Sequence, residues 1–264
     1  MKNNILKKYN FKNKKIIILG GLGLIGSEIT KEISQLGGKI LVIDNNEKKY
    51  LRSKKNFNKK KIQYFSLNLQ NINKIDYYYN KVLKSFGCPN IFINCSYPRT
   101  EDWKNNTFKD ITITSLKNNI NYHLVTYTYI AKLTAEMMKK KKIKGSLIQF
   151  SSIYGVTAQD LNIYKKTKIK ENVSYSVIKG GIVNLTRQMA SYYGKSNIRV
   201  NTVCPGGVLD NQDKSFIKNY SERVPLGRLA NKNEIAQAVL FLASDASSYI
   251  TGTTFMVDGG WSII

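Results

Sequence analysis

Tyr175 and Lys179 stand four residues apart in Tyr175-Ser176-Val177-Ile178-Lys179, within a stretch whose apolar residues recur every three or four positions. On a helix this spacing puts a phenol and an ammonium on one face, one turn apart. There the cation favours the phenolate and lowers a pKa ordinarily about 10, so the pair is expected to serve as an acid/base near neutrality. Taken singly, Tyr175 reads more readily as a core tyrosine and Lys179 as a solvated helix charge. A second group is Gly20-x-x-Gly23-x-x-Gly26, directly after an apolar β-branched run and opening a helix-like stretch. A tight turn and close backbone approach to a pyrophosphate leave no room for side chains, and a helix N-terminus offers N–H groups to an anion. Asp44 follows Gly26 by eighteen residues, at the end of the next apolar run. A carboxylate there binds adenosine ribose hydroxyls and repels a 2′-phosphate, which favours NAD(H) over NADP(H) as cofactor. With Asn45-Asn46 behind it, Asp44 also reads as a turn or cap residue.

The elements that must position these groups follow from periodicity. Strand-like runs occur at Lys15–Leu19, Lys39–Ile43, Ile62–Leu67, Ile91–Asn94, Ser146–Ser151, Ile198–Cys204 and Thr254–Val257. Helix-like stretches occupy Leu24–Leu36, Ile72–Phe86, Ser115–Lys142, Ser174–Tyr193 and Lys232–Ala243. This alternation predicts an α/β fold: a single-domain, Rossmann-type, doubly wound, seven-stranded parallel sheet with helices on both faces. No linker, repeat or low-complexity tract divides residues 1–264, so one domain is expected throughout.

The 42 Lys+Arg against 17 Asp+Glu leave a net charge of +25, which raises the possibility of a polyanion-binding module. Only six of these residues are arginines, and lysine, asparagine, isoleucine and tyrosine, all with A/T-rich codons, dominate the chain. A low-GC genome accounts for the bias, the lysines are scattered, and no nucleic-acid partner is expected. The run Lys139–Lys142 reads as a solvated helix end. Cys88, Cys95 and Cys204 are odd in number and far apart, and His123 is the single histidine, so neither a disulfide framework nor a metal site is expected. No apolar stretch reaches membrane-spanning length, and the basic, apolar N-terminus carries the glycine spacing instead of a signal peptide. A cytoplasmic location without a membrane partner is expected.

Read in order, Gly20-x-x-Gly23-x-x-Gly26, Ser151-Ser152, Tyr175-x-x-x-Lys179, Arg199-Val200-Asn201, Pro205-Gly206, Pro225-Leu226-Gly227-Arg228, Phe241 to Asp245 and Val257-Asp258-Gly259-Gly260 resemble the short-chain dehydrogenase/reductase family over almost the whole chain. The resemblance implies hydride transfer between a secondary alcohol or ketone and NAD(P). It implies a catalytic set of Asn121, Ser152, Tyr175 and Lys179. Ser152 would hold the substrate oxygen, and Asn121 would support a proton-relay water to the lysine. It further implies cofactor contacts from Gly20, Gly23, Leu24, Ile25, Gly26, Asp44, Asn68, Leu69, Asn94, Cys95, Ser96, Tyr175, Lys179, Pro205, Gly206 and Val208, a substrate lid over 209–227, and a homodimer or homotetramer. The chain departs from the family pattern at Leu19, at Asn68, at Asn94-Cys95-Ser96-Tyr97 and at Asp210. Tyr97, Arg99 and Tyr154 and the long interval from Ser152 to Tyr175 are similar to oxidoreductases of bacterial surface-sugar and flagellin modification. They imply a small-molecule sugar derivative as substrate, with Arg99 pairing a phosphate or carboxylate. A 3-oxoacyl-carrier or small-ketone reductase and a non-catalytic dinucleotide-binding protein are the competing readings.

Overall fold

A computed structural model describes residues 7–53 and 61–264. Seven parallel strands run in the order β3-β2-β1-β4-β5-β6-β7: β1 (Lys15–Leu19), β2 (Lys39–Asp44), β3 (Ile62–Ser66), β4 (Ile91–Asn94), β5 (Gly145–Phe150), β6 (Ile198–Pro205) and β7 (Thr254–Val257). Alternate strand residues enter opposite cores, as period-two geometry demands. Ile17, Leu19, Leu41, Ile43, Phe92 and Leu147 pack with helices α3 (Ile72–Phe86), α5 (Thr126–Lys140) and α6 (Val173–Tyr193). Ile16, Ile18, Ile40, Val42, Ile93 and Ile148 pack with α1 (Leu24–Gln35) and α8 (Lys232–Ala243). Both faces are covered, which is why the strands read as near-continuous β-branched runs.

Two helices lie outside the stretches expected from periodicity. Helix α2 (Glu47–Ser53) is short and polar and has no buried residue. Helix α7 (Lys214–Arg223) lies inside the expected lid, where Tyr220 is buried and stacked on Trp261 at 4.6 Å between ring centroids. The long helix expected from Ser115 to Lys142 is interrupted. Helix α4 (Ile113–Asn119) passes into a π-helical turn, Ile120–Val125, before α5. The hydroxyls of Thr126 and Thr128 donate to the Tyr122 and Leu124 carbonyls of that wide turn, at 2.6 and 2.8 Å. Apolar spacing is similar on both sides of the turn, so periodicity could not reveal it. π-Turns are frequent at functional sites, and this one carries Asn121 and His123.

Candidate active site

The strand order reverses direction between β1 and β4, and a cleft opens beyond the carboxyl ends of these strands, where doubly wound sheets bind ligands. It has a volume of about 880 Å³. Gly20 takes a φ of +77°, and a Cβ there would lie 2.6 Å from Ser96 Cα, so loop and strand end approach closely only because the residue is glycine. Gly23 is the N-cap of α1 and has no side chain to cap the first turn, leaving the helix N-terminus to the cleft. Leu24, Ile25 and Gly26 line the same end.

Asp44 also lines the cleft, and its carboxylate accepts from the Leu22 N–H at 3.1 Å and the Asn46 N–H at 3.2 Å. The turn role and the exposure toward a ligand therefore coexist in one residue. Asn45, Asn46 and Lys49 flank it. Asn68 and Leu69 form the adjoining wall, and the Asn68 Oδ1 accepts from the Gln70 N–H at 3.0 Å. Cys95, Ser96, Pro205, Gly206 and Val208 line the floor, and Asp210 lies at the rim. Asn94 is fully buried behind the floor. Its Oδ1 accepts from the Ser96 hydroxyl at 2.8 Å, and its Nδ2 has no partner among the described residues. An uncapped helix N-terminus and a carboxylate along one cleft, with an unpaired buried amide behind its floor, fit a dinucleotide well.

At the other end stand Tyr175 and Lys179, both on α6 as the spacing required. Their electrostatics correct the expectation drawn from that spacing. Tyr175 is pushed up to about 12, chiefly by burial, while the Ser152 hydroxyl bonded to it pulls the other way. Burial also brings Lys179 down to about 7, against the smaller opposing influence of Cys204 and Cys95. Desolvation governs both groups, so in the protein alone the lysine, not the tyrosine, titrates near neutrality. The Lys179 Nζ donates to the Phe150 carbonyl at 2.9 Å.

Ser152 caps a short 3-10 turn (Ile153–Gly155) by accepting from the Tyr154 N–H at 3.2 Å, while Ser151 donates to the Lys179 carbonyl at 2.8 Å and ties β5 to α6. Four of the expected residues, Asn94, Asn121, Ser152 and Tyr154, do not line the cleft itself. Asn121 is half-buried on the π-turn. Tyr97 and Arg99 do line it, with the guanidinium 5.5 Å over the Tyr97 ring. The rings of Tyr97, Tyr154 and Trp103 surround Tyr175 nearly at right angles, with centroids 5.9, 6.3 and 6.3 Å away.

The sequence did not single out Trp103 or the polar strap that holds it. Asn172 accepts from the Tyr175 N–H at 2.8 Å, which caps α6, and donates to the Trp103 carbonyl at 2.8 Å. Asn106 accepts from the Ser174 hydroxyl and donates to Ser115, and Asn119 bonds Thr100. The cap asparagine one residue before the helix was a usable signal, lost among the chain's many asparagines.

A family model described as enoyl-(acyl-carrier-protein) reductase matches residues 23–262. The post-translational flagellin modification protein A of Campylobacter coli is 33% identical over 95% of this chain and 99% of its own length. The chain belongs to the short-chain dehydrogenase/reductase family. The 7alpha-hydroxysteroid dehydrogenase of Bacteroides fragilis is 26% identical over 96% of each chain. A short-chain dehydrogenase from Leptospira borgpetersenii, solved with bound NAD+, superposes with a TM-score of 0.83 at 28% identity, covering 97% of this chain and 95% of that one. As a member of this family the protein is an oxidoreductase acting on CH–OH groups. No helix among the described residues is long and apolar enough to cross a membrane.

Proposed function

We propose that the protein is an NAD(H)-dependent oxidoreductase that interconverts a secondary alcohol and a ketone on a sugar derivative, in the cytoplasm, within a pathway of surface-glycan or flagellin modification. The observation that carries the reading is the single cleft running from the Asp44 carboxylate to the Tyr175 hydroxyl. The full-length similarity to a flagellin modification protein supports the pathway.

A nicotinamide dinucleotide supplies or accepts the hydride. Asp44 and the α1 N-terminus hold its adenosine and pyrophosphate ends, with Asn68, Leu69, Asn94, Cys95, Ser96, Pro205, Gly206 and Val208 along its length. The Ser152 hydroxyl holds the substrate oxygen, Tyr175 Oη gives or takes that oxygen's proton, and Lys179 exchanges the proton beneath it. Asn121 supports the path from the lysine. Tyr97, Tyr154 and Arg99 face the substrate, and 209–227 closes over it. Function as a homodimer or homotetramer fits the exposed apolar residues Ile113, Val125, Tyr129 and Val177 on α4, the π-turn, α5 and α6.

The test is the thermal midpoint with NADH or NADPH, followed by nucleotide sugars, aminosugar phosphates and acyl thioesters over saturating NADH, because ligands of the native state raise it. A larger shift with NADH, a further shift with a sugar class, and turnover abolished by Tyr175→Phe with NADH binding intact are expected. Arg99→Ala should raise KM for the anionic substrate about tenfold at unchanged kcat. No shift with either dinucleotide overturns the reading, and a shift with acyl thioesters alone replaces the sugar with an acyl carrier.

A further inference from the structure

His123 is the one histidine of the chain. It is fully buried, and neither ring nitrogen has a hydrogen-bond partner among the described residues. Such a group is costly to leave unpaired, and its position on the π-helical turn gives it a neighbour that could use it. The imidazole centroid lies 4.8 Å from that of Tyr127 and 5.6 Å from that of Tyr97. The Lys179 Nζ lies over these same two rings, at 5.9 and 5.6 Å. Histidine and lysine thus share two aromatic walls.

An ammonium has three N–H donors. Lys179 places one on the Phe150 carbonyl, and the ring of Tyr175, 5.5 Å away, forms a further wall of its enclosure. Spare donors on Lys179 and an unpaired acceptor nitrogen on His123 therefore lie against the same two rings. We propose that His123 is a positioning residue for Lys179: its neutral imidazole accepts a hydrogen bond relayed from the lysine ammonium by one bridging water, and holds Nζ beneath Tyr175. This rests on the reading of Tyr175 and Lys179 as the acid/base pair.

Burial keeps the imidazole uncharged, and the adjacent Lys179 reinforces this, so His123 remains an acceptor throughout the neutral range. The other titratable groups around the pair are Tyr97 from the loop after β4, Cys95 beside it, Tyr127 from α5, Tyr175 from α6 and Cys204 from β6. Burial raises all five above their ordinary values. Lys179 is the group here that changes charge near pH 7.

A single histidine gives a single imidazole signal. In the full chain labelled with 15N-histidine, the imidazole nitrogens should keep a neutral pattern from about pH 5.5 to 9, with a step in shift centred near the Lys179 pKa of about 7. Lys179→Met should remove the step. In turnover, His123→Phe should move the Lys179 limb of the kcat/KM profile about one pH unit to the acid side, because the ammonium loses an acceptor. His123→Gln, which supplies an amide oxygen, should restore it, with the dinucleotide KM unchanged in both. The proposal is overturned if the imidazole shows no step near pH 7, or if both variants keep the wild-type profile and lose only thermal stability. Should the wild-type protein turn over no alcohol or ketone, the oxidoreductase reading fails by itself, while the imidazole titration still decides whether His123 and Lys179 are joined.

Discussion

Lys179 is 4% exposed, and burial lowers its pKa from 10.5 to about 7. Between these two values the unfolded chain binds a proton that the native lysine does not. Native stability therefore rises with pH across the window and is lost as pH falls toward 7. Each pH unit inside the window corresponds to about 1.4 kcal/mol. The free energy of urea unfolding of the wild-type protein, minus that of Lys179→Met, should thus grow by roughly 1 kcal/mol per unit between about pH 7.5 and 9.5. Cys95 and Cys204, raised by burial to about 12 and about 11, act in the opposite sense above about pH 9, but both proteins contain them and the difference cancels their effect. A flat difference would mean that the lysine keeps its solvated pKa. The spacing of Tyr175 and Lys179 was legible in the sequence, whereas the governing role of burial was not, because desolvation depends on walls supplied by Tyr97, Tyr127 and Phe150 from three other parts of the chain.

Helix α6 begins where the aromatic wall around Tyr175 ends, and Asn172 is tied to both. Its Oδ1 caps the helix at the Tyr175 N–H, and its Nδ2 holds the Trp103 carbonyl, so Tyr175 and the ring opposite it are fixed by one side chain. The two bonds can be separated. Asn172→Asp keeps the cap acceptor and loses the donor, and it should unfold within a few tenths of a kcal/mol of wild type while kcat falls several-fold through the loosened Trp103. Asn172→Ala loses both and should cost about 1 kcal/mol in addition. Equal kcat for Asn172→Asp and the wild type would show that the wall needs no such tie. At this scale β1, β4, β7, α3 and α8 begin and end where periodicity placed them, because the apolar residues of β1, β4, α3 and α8 are buried against the sheet or within it and those of the edge strand β7 pack half-buried on the core. Helix α2 and the π-turn were invisible for different reasons. Helix α2 has no fully buried residue and packs on the core through half-buried Tyr50, and the turn inserts a wide loop of helix without disturbing the apolar pattern on either side. The floor of the site was therefore readable from Gly20 to Asp44, but the strap through Asn106, Asn119 and Asn172 was not.

Across the whole molecule the net charge of +25 has physical consequences even if codon bias produced it. Like charges repel in the compact state, and the ion pairs formed are mostly exposed, such as Lys218 with Glu222 at 3.8 Å, so they offset little. Added salt should therefore stabilise the fold. The same field should draw an anionic dinucleotide toward the cleft, where Lys49 and Arg99 line opposite ends, and salt should weaken that attraction. Between about 50 and 500 mM NaCl the screening length falls from roughly 14 to 4 Å. The thermal midpoint should rise over this range while the stopped-flow association rate of NADH falls several-fold and its dissociation rate changes little. A polyanion-binding module would behave differently: retention on DNA would fall steeply with salt, as its lysines release counterions, and NADH would neither compete with the DNA nor raise the midpoint. A salt-insensitive midpoint would mean that the lysines are spaced widely enough to be screened by solvent alone and play no part in stability, and a salt-insensitive association rate would remove the charge from the capture of the dinucleotide as well.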